Sequence, residues 1–392
     1  MRPKTEVKRT PRDLQILKRT IRTAVETKRN KEKQPAYATP LPESVGIKLT
    51  NQCNLRCKHC YQWNDTGYHH YMTLQQQREQ LDIGLLERVI VETEPARSRL
   101  YIWGGEPLVY SRFDRLVELL EQYPRETTIC TNAVLIPKRI EELLRISDNL
   151  ELLIALDGFE EENDALRGKG VFGKAIDAIR MLVQLREEGR FRGRISVHTV
   201  INDAMTSKLY DLLAFLEELG VDLVMVCFPW YISDECTQGM DDYFDRHFDF
   251  LPASEQRGER SWHAFNYKLD PDYIPALLQE LERINSRTWK MLVRYQPNLE
   301  PDQIEPFVLG QELAGGGTMN KKCLALSNRM DITPDGTMIA CKFFKEFEIG
   351  NLNDGPVREL WHNNTYRQIR ELMDERLTPA CSKCSVLHLH GV

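Results

Sequence analysis

The chain has 392 residues, 42% of them hydrophobic and 28% charged, with 22 Gly, 19 Pro and a net charge of −6, so it is neither disordered nor fibrous and has room for two or three domains. No run approaches the roughly eighteen apolar residues of a membrane helix, and Met1 to Gln34 is basic and polar where a signal peptide would be apolar, so a cytoplasmic protein is expected. In a reducing compartment ten cysteines are not a disulfide framework, and their spacing must decide whether they hold metal.

Residues 1–34 carry twelve Lys and Arg against four Asp and Glu, which leaves −14 for the remainder. Thr10 and Pro11 read as an N-cap and first helical turn with Asp13 three residues after the cap, and Leu14, Leu17, Ile21 and Val25 recur at helical spacing. An amphipathic helix is expected. Its charge would suit an acidic peptide, a nucleotide or nucleic acid, but a solvated face on a packing helix is the plainer reading, and no specific role is assigned to it.

From about residue 45 to 228 short apolar runs alternate with amphipathic helices, the pattern of βα units on a parallel sheet. The strand candidates are Val45–Leu49, Leu100–Trp103, Thr127–Thr131, Leu152–Leu156, Ile195–Val200 and Leu223–Cys227. Thr73 reads as the cap of the first long helix between them and Ser111 as the cap of Arg112–Gln122. Six units are two short of a closed eightfold barrel, so the α/β fold expected is a partial (β/α)6 barrel with its site at the C-terminal ends of the strands.

Chemistry-bearing residues fall at those strand ends. After the first strand comes Thr50-Asn51-Gln52-Cys53-Asn54-Leu55-Arg56-Cys57-Lys58-His59-Cys60-Tyr61, a C-x3-C-x2-C loop ending in an aromatic residue. Three thiolates so close can hold three irons of a cubane cluster and leave the fourth open to a small ligand. A closed zinc site would want a fourth protein ligand, and His59, between two cysteines, is poorly placed for tetrahedral closure. Gly104-Gly105-Glu106-Pro107 follows the second strand, Thr131-Asn132-Ala133 the third, and Ala155-Leu156-Asp157-Gly158 the fourth, with Asp164, Arg167-Gly168 and Gly170-Val171-Phe172 beyond.

Downstream, Phe228 to Glu235 leads from the sixth strand into an acidic, aromatic stretch and a long helix expected near Pro271–Tyr295. Trp230, Tyr231, Asp234 and Glu235 stand at the barrel mouth and His198 on the fifth strand. All five are candidate substrate contacts, and an oxidation would need a base from among Asp234, Glu235, Tyr231 and His198. The plainer alternative is interdomain packing with a solvated face, and a core histidine. Cys323, Cys341, Cys381 and Cys384 follow, with twelve residues from Cys323 to Gly336 and four more to Cys341. Arg329–Thr333 and Thr337–Cys341 read as a hairpin about Pro334-Asp335-Gly336 that brings the first two cysteines together. Four such thiols fit either a zinc knuckle or an iron–sulfur cluster, with His388 and His390 as further ligand candidates. Cys130 and Cys227 read as small core residues, and Cys236 as a loop residue open to a substrate or redox role.

Each short string is weak alone, but four in register with successive strands leave little to coincidence. Together they resemble the radical S-adenosylmethionine (radical SAM) superfamily, and the C-terminal cysteines resemble its SPASM branch in the shortened "twitch" form, since nothing but Ser385–Val392 follows Cys384. The resemblance implies two 4Fe-4S clusters, one bound by Cys53, Cys57 and Cys60 and an auxiliary one by Cys323, Cys341, Cys381 and Cys384. It implies S-adenosylmethionine (SAM) held by Tyr61, Gly104, Gly105, Glu106, Pro107, Asn132, Asp157 and Arg167. Ala133 departs from the usual T-N-G. Activity would be reductive cleavage of SAM to a 5′-deoxyadenosyl radical that abstracts a substrate hydrogen, with the auxiliary cluster taking a second electron. The substrate class implied is a ribosomally made peptide, with a sugar, cyclitol or nucleoside as the alternative. The implied partner is a flavodoxin- or ferredoxin-type reductant, and because only 52 residues precede Cys53 a peptide leader would be bound by a separate peptide-recognition protein, by the basic helix or directly in the cavity; neither membrane nor nucleic acid is expected. The layout expected is 1–44 a basic helical extension, 45–230 the barrel, 231–318 a substrate-covering bridge and 319–392 the auxiliary domain. A zinc-bound scaffold that contacts nucleic acid through its basic helix is the non-enzymatic alternative.

Overall fold

The computed structural model describes residues 3–252, 256–311, 313 and 321–390, the side chains of the last three excepted. Its strands are β1 (Lys4–Thr5), β2 (Ser44–Lys48), β3 (Arg99–Trp103), β4 (Thr127–Thr131), β5 (Leu150–Ala155), β6 (Arg194–Val200), β7 (Leu223–Cys227), β8 (Thr288–Trp289), β9 (Leu292–Gln296), β10 (Arg329–Ile332), β11 (Thr337–Ile339) and β12 (Glu348–Asn351). β1 pairs only with β8; the rest form one sheet in the order β12-β11-β10-β2-β3-β4-β5-β6-β7-β9. From β10 to β9 every pairing is parallel.

The six expected strands are β2 to β7, and their sheet is open. Side chains alternate along each strand. Val45, Ile47, Ile102, Ile129, Leu152, Ile154, Ile195, Val197, Val224 and Val226 are fully buried under the helices. Each such side chain is worth ~1.5–3 kcal/mol by burial. The other register, Tyr101, Cys130, Ala155, His198 and Cys227, lines a cavity on the opposite face.

Two strands lie beyond the six. The helix expected to run to Tyr295 stops at Ser286, and Leu292–Gln296 is β9, paired to β7. At the other edge the hairpin β10-β11 forms as expected, and β10 also pairs with β2, Met330 opposite Val45 and Ile332 opposite Ile47. The sheet thus crosses the expected boundaries at 44/45, 230/231 and 318/319.

Helix starts follow the capping chemistry with two adjustments. Thr73 does make a capping box with Gln76, but only for the single turn Leu74–Gln77; the long helix Ile83–Glu92 is capped by Asp82. Ser111 lies one residue further out, bonded to Gln80, and the helix begins at Phe113. The N-terminal helix Pro11–Lys33 has the expected Thr10–Asp13 capping box, yet Leu14, Ile21 and Val25 are exposed, so that stripe is not its packing face. Polar groups hold it instead. Arg12 binds Asp148 and Asn149, Arg19 binds Ala96, and Asp13 pairs with Arg194, all at the N-terminal ends of the strands. Lys31, buried, pairs with Asp374 at 2.6 Å. No described helix is long and apolar enough to cross a membrane.

Candidate functional site

The cysteine loop leaves β2 and lies directly on the Gly104-Gly105-Glu106 segment that leaves β3. Gly105 N–H donates to Thr50 carbonyl O at 2.8 Å and Glu106 N–H to Gln52 carbonyl O at 2.8 Å. A Cβ on Gly105 would stand 2.0 Å from that Gln52 oxygen and one on Gly104 2.7 Å from the Thr50 oxygen. These glycines are therefore required by a backbone approaching a backbone. Cys53, Cys57 and Cys60 all face one cavity of about 350 Å³. Burial pushes the thiols of Cys53 and Cys57 up, to about 12 and about 11.

Charged groups around the loop are tightly paired. Asp157 has no solvent exposure. It accepts from Arg167 Nε at 2.6 Å and from Val200 N–H at 2.8 Å, with His59 Nε2 3.1 Å away. Burial alone would raise this carboxyl; Arg167 and His59 hold it well below the usual carboxylate range. Arg167 in turn reaches Cys57 Sγ at 3.9 Å. Glu106, 1% exposed, accepts from Thr131 Oγ1 at 2.6 Å, Asn132 N–H at 2.8 Å and Leu108 N–H at 3.1 Å. Burial nonetheless carries its carboxyl up to about 7. Asn132 also bonds Asn54 of the cysteine loop at 2.7 Å, while Ala133 takes the left-handed conformation, φ 67°, where a glycine would be unstrained.

Aromatic rings wall the cavity. Tyr61 stacks on Phe265, centroids 4.6 Å apart, and Trp230 packs on Phe265 and Phe343. Of the base candidates only His198 lines it, beside Cys130 at 3.6 Å. Burial pulls this imidazole down to about 4, so it is neutral at working pH. Asp234 and Glu235 are exposed in the first turn of helix Asp234–His247, capped by Ser233, and Tyr231 packs under Lys268; none lines the cavity. Pro107 is buried behind it as the first residue of a 3-10 turn. Cys130 and Cys227, read from sequence as core residues, face the cavity, and Cys236 lies on a helix near Cys381.

The other four cysteines also converge. Burial and the neighbouring Cys381, Cys341 and Cys323 push the Cys384 thiol well above its ordinary value. Backbone N–H groups of Ala325 and Leu326 point at Cys323, those of Phe343 and Phe344 at Cys341, and Leu387 N–H at Cys384 Sγ, 3.4 Å. The side chains of His388 and His390 lie outside the described residues.

Both sets of residues fit iron–sulfur clusters. Buried thiols facing amide donors are what cluster sulfurs require, and around the cavity beside Cys53, Cys57 and Cys60 the atoms His59 Nδ1, Gln62 Oε1, Trp63 Nε1, Trp103 Nε1 and Trp230 Nε1 are buried without a partner, as groups that await a ligand would be. Among the described residues no three His, Cys, Asp or Glu side chains are placed to hold a single ion. Thiolates on separate irons stand further apart than ligands drawn to ~2.3 Å around one zinc.

Residues 47–213 match the radical SAM superfamily and residues 323–385 the SPASM iron–sulfur cluster-binding domain. The chain is 28% identical to the mycofactocin maturase MftC of Mycolicibacterium smegmatis over 88% of its own length and 75% of that protein's. It is 26% identical to AlbA of Bacillus subtilis, an antilisterial bacteriocin subtilosin biosynthesis protein, over 90% and 68%. Among solved structures, SuiB of Streptococcus suis bound to its precursor peptide SuiA superposes with a TM-score of 0.60 at 17% identity, over 94% of this chain and 76% of SuiB.

Proposed function

The chain belongs to the radical SAM superfamily and ends in a SPASM iron–sulfur domain, and from that premise we propose that it oxidatively modifies a ribosomally synthesised peptide. It is an enzyme, and its cofactors are SAM with a 4Fe-4S cluster in the first domain and an auxiliary iron–sulfur cluster in the second. Bound there, they supply reductive cleavage of a sulfonium, abstraction of a substrate hydrogen atom and an acceptor for the electron left behind. In this reading Cys53, Cys57 and Cys60 hold the first cluster and Cys323, Cys341, Cys381 and Cys384 one auxiliary cluster. Free thiols in such numbers suit the reducing cytoplasm.

The residues have separable tasks. Glu106, Asn132 and the Gly104-Gly105 backbone form the SAM-facing rim, and Tyr61 closes its side. Asp157 is spent on holding Arg167 and His59 beside the cysteine loop, which makes it a positioning residue. The ring wall of Phe265, Trp230 and Phe343 excludes water. His198, neutral and facing the cavity, is the one of the four base candidates positioned there, a weak base with its imidazole held down to about 4.

The observation that supports the peptide assignment is the likeness, over 88% and 90% of the chain, to a mycofactocin maturase and a bacteriocin-biosynthesis protein. Peptides encoded by short open reading frames beside the gene, incubated with the reconstituted enzyme, SAM and dithionite, test it. The expected result is stimulated 5′-deoxyadenosine release with loss of two hydrogens from one peptide. Stimulation by sugars, cyclitols or nucleosides alone would overturn it.

A further inference from the structure

The C-terminal domain contributes more than thiols to the cavity: Lys342, the residue after Cys341, comes from the loop beyond β11 and lines the 350 Å³ cavity of the barrel. Its Nζ sits 4.2 Å from the centroid of the Tyr101 ring on β3, with the Phe343 and Trp103 rings at 5.4 and 5.8 Å. The other charged side chains on this cavity are engaged. Glu106 accepts three hydrogen bonds, and Arg167 is paired with Asp157 at 2.6 Å. Nearby Asp331 accepts from Arg329 Nη2 at 2.6 Å and from Arg329 Nε at 2.7 Å. Lys342 has no hydrogen bond or ion pair among the described residues; rings are its neighbours, and a ring face orients an ammonium without neutralising it. Lys342 is half-buried, and an ammonium partly withdrawn from water beside rings gains when a ligand brings it a counter-charge.

We propose that Lys342 is a substrate-anchoring residue that binds a carboxylate of the peptide, its C-terminus or an acidic side chain. This rests on the reading of the cavity as the substrate site. The anchor would hold one end of the substrate at the Tyr101 wall of the cavity that the cysteine loop also lines. Because it comes from the auxiliary domain, it would also register the peptide against both sites at once.

The test uses the reconstituted two-cluster enzyme with SAM and without reductant. Equilibrium retention is measured for short N-acetylated peptides ending in a free carboxylate against the same peptides ending in a carboxamide, and for gluconate against sorbitol. Wild type and Lys342→Arg should retain the acids about ten- to hundredfold over the neutral partners, and Lys342→Met should lose the preference with its iron content unchanged. A preference in the gluconate pair alone keeps the anchor and overturns the peptide reading. No acid preference in wild type, a preference that survives Lys342→Met, or loss of auxiliary iron in Lys342→Met would each overturn the anchor, the last by making Lys342 a counter-ion of the cluster.

Discussion

The Asp157 carboxylate meets the Arg167 guanidinium, the His59 imidazole and the Val200 N–H from a position with no solvent exposure. Replacing it with Asn would leave the Arg167 guanidinium buried without its counter-charge, so Asp157→Asn should cost about 3–5 kcal/mol in urea unfolding of the metal-free protein. An unchanged midpoint would show that the pair is not needed for the fold. His198 gives a pH dependence of defined sign. Its folded value, about 4, lies below the ordinary histidine value, so its stabilising contribution is complete above about 6.5 and is lost as pH falls toward 4. Between pH 7 and 5 the wild type should lose about 2 kcal/mol that His198→Gln does not lose. Equal losses in the two proteins would place the titrating group elsewhere. Cys130 and Cys227, on the same face, show why residue roles were only partly legible: a cysteine at the end of an apolar strand has the same signature whether it faces helix or cavity, and only the strand register decides.

At the scale of elements, the two loops after β2 and β3 act as one unit, joined by backbone hydrogen bonds from Gly105 and Glu106 where Gly104 and Gly105 leave no room for a side chain. Gly105→Ala must separate them, because the obstructing atom is a backbone oxygen 2.0 Å away. A loss of about 3 kcal/mol or more is expected, together with failure to take up iron at the first site while the auxiliary site loads; full iron uptake would contradict it. The six inner strands were readable because parallel strands buried on one face are short apolar runs between caps and turns. β9 was not: Trp289, Leu292 and Tyr295 recur every third residue and imitate a helix, and the strand is specified by the open edge of β7. Asp234 and Glu235 were misplaced for a local reason that the sequence did contain, since Ser233 followed by two acids is a helix start. The cysteine motifs were legible because their chemistry depends on spacing alone. Lys342 carried no signal beyond its place next to Cys341.

For the whole molecule, the continuity of the sheet matters most. β10 from the C-terminal region pairs with β2 and carries β11 and β12 beyond it, and Lys31 of the N-terminal helix pairs with Asp374, so chain ends and centre share one hydrogen-bonded framework. The metal-free protein should therefore unfold in a single thermal transition, and two well-separated transitions would show that the barrel and auxiliary region are independent units. Such pairings between distant segments leave no trace in local sequence. The same framework carries both cysteine sets, the first on the cavity and the second on the segment that contributes Lys342 and Phe343 to its wall, and the central claim is that both hold iron and that the first set cleaves SAM. The direct measurement is anaerobic reconstitution with iron and sulfide, metal counting, and a dithionite-driven SAM cleavage assay on the wild type and on a variant with Cys53, Cys57 and Cys60 changed to Ala. The account predicts about eight irons per chain and 5′-deoxyadenosine from the wild type, and about four irons with no cleavage from the variant. Zinc at either site, no cleavage by a fully loaded wild type, or cleavage by the variant would contradict it.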